Sequence, residues 1–136
     1  MSMIQIGLDP GVRTGYCVMI DGEVSTAGAV ETLRGVYKLL CDTRPDEVVF
    51  EAFHRGQGLQ PEHVYTIEVI GVIQLFVENA TSAGGFVKLV QQSPGAKRPT
   101  QDRAKALLRS LPTAKIPEKD RPHAQDALAH LLVHND

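Results

Sequence analysis

The segment Ile4-Gln-Ile-Gly-Leu-Asp9-Pro-Gly-Val-Arg-Thr-Gly15-Tyr-Cys-Val-Met-Ile20 joins two apolar strands through a glycine-bracketed turn and places one acidic residue at the end of the first strand. A strand holds the Asp9 side chain against a rigid sheet, while Gly11 and Gly15 let the backbone turn tightly and leave room for a large anionic ligand. Asp-Pro-Gly is also ordinary turn chemistry, so this segment alone admits two readings: a metal-binding carboxylate, or a turn-capping one. Two further acidic positions recur in matching contexts downstream and favour the first.

The order of elements follows from the punctuation of the chain. Residues 3–9 and 15–20 read as strands, and Asp21-Gly22 is a hairpin signal into a third strand over 23–29, giving an antiparallel meander. A helix is expected from Glu31 to Cys41, with Leu33, Val36, Tyr37, Leu40 and Cys41 on its apolar face. The run Glu47-Val-Val-Phe-Glu-Ala-Phe53 is a fourth strand, and a helix between two strands implies a parallel crossover. Glu51 then lies near the end of a central strand. Residues 54–62 read as a loop, His63 to Ser82 as a long apolar helix, and Phe86 to Val90 as a fifth strand. A loop over Ser93–Thr100, a basic helix over Gln101–Arg109 and an extended connection over Leu111–Lys119 precede a final helix that opens near Asp120 or Arg121, with Pro122 in its first turn.

At 136 residues the chain has room for one domain, spanning 1–136, with a central sheet and packed helices. Its 43% hydrophobic and 22% charged residues are those of an ordinary globular protein, and with 5% aromatics and no Trp it lacks the material for wide base-stacking platforms. Cys17 and Cys41 belong to no paired metal-binding motif and read as reduced core residues. No basic leader with an apolar run and cleavage site is present, and the longest apolar stretch, Val69 to Val77, is too short to cross a bilayer. The expectation is a cytoplasmic protein without membrane contact.

The net charge of −2 conceals an asymmetry. Residues 97–121 hold eight basic and three acidic side chains, and the remainder six basic and thirteen acidic, so a strip of +5 stands against −7. A charge run of this size is often a solvated face. Beside an acidic site it also suits an enzyme acting on a phosphate polymer.

The closing helix carries Ala124, Ala127, Leu128, Leu131 and Leu132 at the spacing of one apolar stripe. His123 and Asp126, three residues apart, share a neighbouring face at its opening. His130 and His134 continue roughly that line but lie one and two turns further on, and read as surface or partner-contact residues. Asp9, Glu51, His123 and Asp126 thus come from three distant parts of the chain, and packing the last helix across neighbouring strands one and four would gather them. Three carboxylates together repel unless a cation neutralises them, and hard oxygen ligands favour magnesium or manganese. A divalent, binuclear site able to hydrolyse phosphodiesters is the reading of this set, with His123 either a ligand or a water-positioning group. No Gly-x-x-x-x-Gly-Lys-Ser/Thr loop occurs, which excludes a P-loop nucleotide hydrolase at the motif level.

The stretch Ile6-Gly-Leu-Asp9-Pro-Gly-x-x-x-Gly15-Tyr, the strand ending in Glu51 with Phe53 two residues on, Gln92-Ser-Pro94-x-x-Lys97, and His123-Ala-x-Asp126-Ala-Leu-Ala together resemble the RuvC family of Holliday junction resolvases, in the RNase H-like superfamily. The resemblance spans nearly the whole chain. It implies an α/β fold with a five-stranded mixed sheet, order 3-2-1-4-5, flanked by helices, and a magnesium-dependent endonuclease, with manganese as substitute and two ions per site, that nicks four-way DNA junctions. It also implies metal-binding and catalytic roles for Asp9, Glu51, His123 and Asp126, and a homodimer through the helix at 63–82, whose apolar residues occupy more than one face. Phe53, His54 and Arg55 stand where the family contacts the junction, and Lys97, Arg98, Arg103 and Lys105 are candidates for phosphate contacts. No small-molecule cofactor is implied. The chain departs from typical bacterial members in being shorter and acidic overall.

Two other readings share these motifs. A YqgF-like nuclease acting on structured or ribosomal precursor RNA has a similar first strand-turn-strand, and a non-catalytic relative could bind branched nucleic acid as an assembly factor. An actin-like ATPase shares the strand-Asp-Gly turn but needs two such domains.

Overall fold

The computed structural model describes residues 2–53, 61–111 and 116–136. Strands β1 (Ile4–Asp9), β2 (Thr14–Ile20) and β3 (Glu23–Val30) form the expected meander, turned at Asp21 and Gly22 with positive φ of 51° and 84°. Both central turn residues being left-handed is what a tight hairpin requires of its twist. Helix α1 (Leu33–Thr43) begins at Thr32, whose side chain accepts from the Gly35 N–H, and ends at Arg44 in the left-handed region, whose N–H reaches the Leu40 carbonyl. Pro45 then bars continuation. Strand β4 (Glu47–Glu51) returns parallel to β1, and helix α2 (Pro61–Ser82) leads to β5 (Lys88–Gln92), parallel to β4. The sheet order is β3-β2-β1-β4-β5. Helices α3 (Gln101–Arg109) and α4 (Arg121–Asn135) complete the chain.

Alternation along the strands divides the interior in two. Ile6, Leu8, Val48 and Phe50 point to one face, where they meet Val36 and Leu40 of α1 and Val69, Ile73 and Phe76 of α2. Val49, Cys17 and Met19 point to the other and meet Ala104 of α3 and the Ala127, Leu128, Leu131 stripe of α4. Asp9 and Glu51, in phase with Gly7 and Val49, therefore face α4. Gly7 is required there, because a Cβ would stand 2.4 Å from the Ala127 carbonyl oxygen.

Several expectations need correction. Strand β5 lies two residues further on than 86–90, and Phe86 is 83% exposed. The segment Pro94–Thr100, read as a loop, is a 3-10 helix with Pro99 inside it, the tighter helical form that chains use in short connecting pieces. Cys41 is exposed rather than in the core, since the buried face of α1 is centred on Val36 and Leu40. The apolar character of α2 is not confined to Val69–Val77: His63–Ser82 is 20 residues long and apolar enough to span a membrane by length and composition. In the fold its Val69, Ile73 and Phe76 pack as a one-sided core stripe, leaving Val64, Ile67 and Leu75 exposed at 42%, 44% and 50%.

Candidate metal and nuclease site

Parallel pairing puts the carboxyl ends of β1, β4 and β5 at one edge of the sheet, so Asp9, Glu51 and Gln92 end three adjacent strands together. In open α/β sheets this edge is where ligands bind. Helix α4 lies across β1, β2 and β4 on the same side. Its seat is fixed at the opening by Arg13, from the glycine turn, whose Nη1 donates to the buried Asp120 at 2.5 Å while its other nitrogen pairs with Glu31.

Three predicted side chains come together here. Asp9 and Glu51 close adjacent parallel strands, one residue past the Leu8–Phe50 pair, and act on each other's protonation. Burial and the adjoining Glu51 charge push the Asp9 carboxyl up to about 8, so Asp9 carries the shared proton. Burial would also raise Glu51, but hydrogen bonds from His130, Asp9 and Lys97 outweigh it and hold that carboxyl down at about 2. Lys97 Nζ lies 2.8 Å from Glu51 Oε1 and 3.4 Å from Asp126 Oδ2, linking the second and third carboxylates. Burial works against the Lys97 charge, yet Glu51, Asp9 and Asp126 raise its pKa. Asp126 is held from its other side by Gln101 Nε2 at 2.7 Å.

His123 is not part of this set. It precedes Asp126 by about one turn, is half-buried, and makes no hydrogen bond or ion pair with the three carboxylates among the described residues. The imidazole that does touch them is His130, which sequence reasoning left at the surface. It is fully buried, with Nε2 3.3 Å from Glu51 and Nδ1 2.6 Å from the Gln92 side-chain oxygen. His134, also placed at the surface, is half-buried and bonds Glu47 at 3.1 Å. Helix α4 runs antiparallel to β4, so His130 and His134 meet Glu51 and Glu47 in reverse order. The signal was present as the shared face of His123, Asp126 and His130, but the helical period does not say which strand lies beneath.

The remaining candidates scatter. Phe53 is half-buried with its ring edge-on to His63 at 5.3 Å, and His54 and Arg55 lie outside the described residues, as does Lys115 of the basic strip. Arg98 is exposed. Arg103 pairs with Asp136 at 2.7 Å, ten residues or roughly 15 Å along α4 from Asp126, so it does not face the carboxylates. Lys105 lines a cavity beside Asp126.

The donor set fits a divalent cation in its chemistry: three carboxylates, one raised in pKa by burial and by its neighbour, two already sharing a positive charge. As placed, that charge is the Lys97 ammonium, and among the described residues no three His, Cys, Asp or Glu side chains surround one ion position.

The architecture is the RNase H-like fold, a five-stranded mixed sheet in 3-2-1-4-5 order between helices. More narrowly, it is the RuvC-like form of that fold. The chain is similar to Thermus thermophilus RuvC in complex with a Holliday junction substrate (22% identity, TM-score 0.66) and to T. thermophilus RuvC alone (20%, 0.65), covering 98% of this chain and 93% of the other in each case. It is also similar to the yeast mitochondrial Holliday junction resolvase Ydc2 (10% identity, TM-score 0.58, 95% and 76% covered). No protein-family model and no curated protein sequence matches.

Proposed function

We propose that this chain is a metal-dependent, structure-selective endonuclease that hydrolyses phosphodiester bonds in branched DNA, with the four-way junction as substrate. The observation that carries this reading is that Glu51 and Asp126 share the Lys97 ammonium, with Asp9 beside Glu51, at the carboxyl edge of a RuvC-like sheet. The similar T. thermophilus structure holds a Holliday junction, which supports the substrate class.

In this reading Asp9, Glu51 and Asp126 hold magnesium, with manganese as substitute and two ions at full occupancy, and His123 completes the set once its side chain turns inward. The ions would supply an activated water and charge neutralisation at the leaving oxygen. The chain's own groups do the rest. His130, braced by Gln92, and Gln101 fix the rotamers of Glu51 and Asp126, and such outer partners keep ligands in place. Lys97, displaced from the carboxylates, is free to donate to a non-bridging phosphate oxygen and offset charge in the transition state. Asp9 gives up its proton when a stronger cation replaces that ammonium.

The exposed Val64, Ile67 and Leu75 of α2 support a homodimer that presents two such sites to opposed strands. The test is magnesium-dependent nicking of a synthetic four-way junction, beside linear duplex and structured RNA. Asp9→Asn and Asp126→Asn should abolish nicking while junction binding is kept, or strengthened for Asp126→Asn, where a repulsive carboxylate is lost. Cleavage of the RNA alone, or none by the wild type with either metal, overturns the proposal.

A further inference from the structure

A cavity of about 530 Å³ opens between α3 and the first turns of α4, with Asp126 in its lining and Lys97 and Glu51 outside it. That is within the roughly 300–1,000 Å³ usual for small-molecule sites. Its lining falls into three chemical zones. Leu108, Ile116 and Pro122 supply apolar surface. Lys105, Arg109 and Arg121 stand among the lining residues as cations, and none of them forms an ion pair among the described residues. Arg121 spends only its Nε, on the Ile116 carbonyl at 3.4 Å, and Glu118 is the opposing carboxylate. The third zone is an amide relay in which Gln125 Nε2 donates to Gln101 Oε1 at 2.7 Å and Gln101 Nε2 donates to Asp126 Oδ1 at 2.7 Å.

We propose that this cavity receives the nucleoside flanking the scissile phosphate, its base turned out of the strand. The inference rests on the nuclease reading and names a subsite of it. Apolar walls suit the faces of a base, side-chain amides suit its hydrogen-bonding edge, and unpaired cations suit the phosphates on either side. Because Asp126 belongs both to the carboxylate set and to this lining, a nucleotide seated here is the immediate neighbour of the bond to be cut. The relay through Gln101 makes occupancy felt at Asp126, since a base that takes the Gln125 or Gln101 amide changes what holds that carboxylate.

The full-length protein is titrated with each of the four deoxynucleoside 5′-monophosphates while the side-chain amide NMR signals of Gln101 and Gln125 are followed. Saturable shifts of these signals are expected, and Leu108→Trp, which fills the cavity, should abolish them. In cleavage assays, an abasic residue placed beside the nicked bond should slow the wild type about tenfold and Leu108→Trp no further than its own similar loss. Gln125→Ala serves in the same assays if the tryptophan variant fails to fold. Absent amide shifts with all four monophosphates, or an abasic substrate cut at the normal rate, overturns the proposal. If the wild type nicks no branched DNA, the nuclease reading fails, and the monophosphate titration then decides by itself whether the cavity is a nucleotide site.

Discussion

Gly15 of β2 lies against the backbone of His123 so closely that a Cβ there would stand 2.0 Å from the histidine carbonyl oxygen and 2.2 Å from its carbonyl carbon. The second glycine of the opening turn is thus a contact surface for α4 as well as a turn residue. Gly15→Ala is expected to lift the opening of the helix and cost roughly 3 kcal/mol or more, because the obstacle is backbone and cannot rotate away. Gly28→Ala meets only the end of the Tyr16 side chain at 3.0 Å and should cost less than about 1 kcal/mol. Urea unfolding of both variants checks this, and a Gly15→Ala protein as stable as wild type would contradict the seating of α4.

Without added metal, stability should fall as pH rises from about 4 to about 8. Folded Asp9 keeps its proton up to about 8, whereas in the unfolded chain it is released near 3.8, so the folded state binds more protons across that window. Glu51 acts in the opposite sense, its contribution being lost as pH drops from about 4.5 toward 2. Calorimetry in chelator from pH 4 to 9 should show Asp9→Asn gaining on wild type progressively from about pH 4 and levelling off above about 8. Parallel curves for the two proteins would show that the carboxyl pair is not coupled.

Lys97→Met removes the ammonium between Glu51 and Asp126, both mostly shielded from solvent. At pH 7.5 in chelator the variant should lose about 1–3 kcal/mol, since one partner of a partly buried charge group is gone. Manganese should restore more stability to it than it adds to wild type, as measured by melting temperature against metal concentration. Equal manganese responses would mean that Lys97 and the metal do not share a position.

His130→Ala deletes a fully buried ring and leaves the Gln92 amide without its partner. A loss of about 2–4 kcal/mol is expected from the cavity and the unmet hydrogen bonds. Manganese affinity by calorimetric titration should fall about tenfold or more, with His130→Gln recovering part of it by restoring a donor to Glu51. An unchanged manganese affinity in the alanine variant would reduce His130 to a packing residue.

Ile67→Lys, on the exposed face of α2, should convert a dimer to a monomer in sedimentation while leaving the melting temperature of the monomer within a few degrees. A wild-type protein that sediments as a monomer would remove the dimer from the proposal.

What could be read from the chain is what local chemistry dictates. Asp9 and Glu51 announce themselves because each closes a short β-rich apolar run bounded by turn residues, and the Ala124-to-Leu132 stripe shows which face of α4 turns inward. The displacement of β5 was hidden because Phe86 looks like a strand residue, whereas Gln91 and Gln92 complete the strand by pairing with Phe50 and Glu51 at the sheet edge. His130 was hidden for a different reason: its partners are Gln92 and Glu51, and only the reversed direction of α4 over β4 brings them together. Lys97 was read as a phosphate contact from its charge, but its place among the carboxylates depends on the 3-10 helix that a Pro- and Gly-containing segment conceals.

Side-chain alternation in β4 gives Phe50 to one layer and Glu51 to the other. A slip of a single position between β1 and β4 would send the acid into hydrocarbon and present a phenyl ring where the carboxylate belongs. Length changes in the α1–β4 connection that propagate into the strand should therefore be purged by selection. The same holds at the carboxyl edge, where the β1–β2 turn carries Arg13 to Asp120 and the 3-10 segment after β5 carries Lys97 to Glu51, so neither can change length without moving the site.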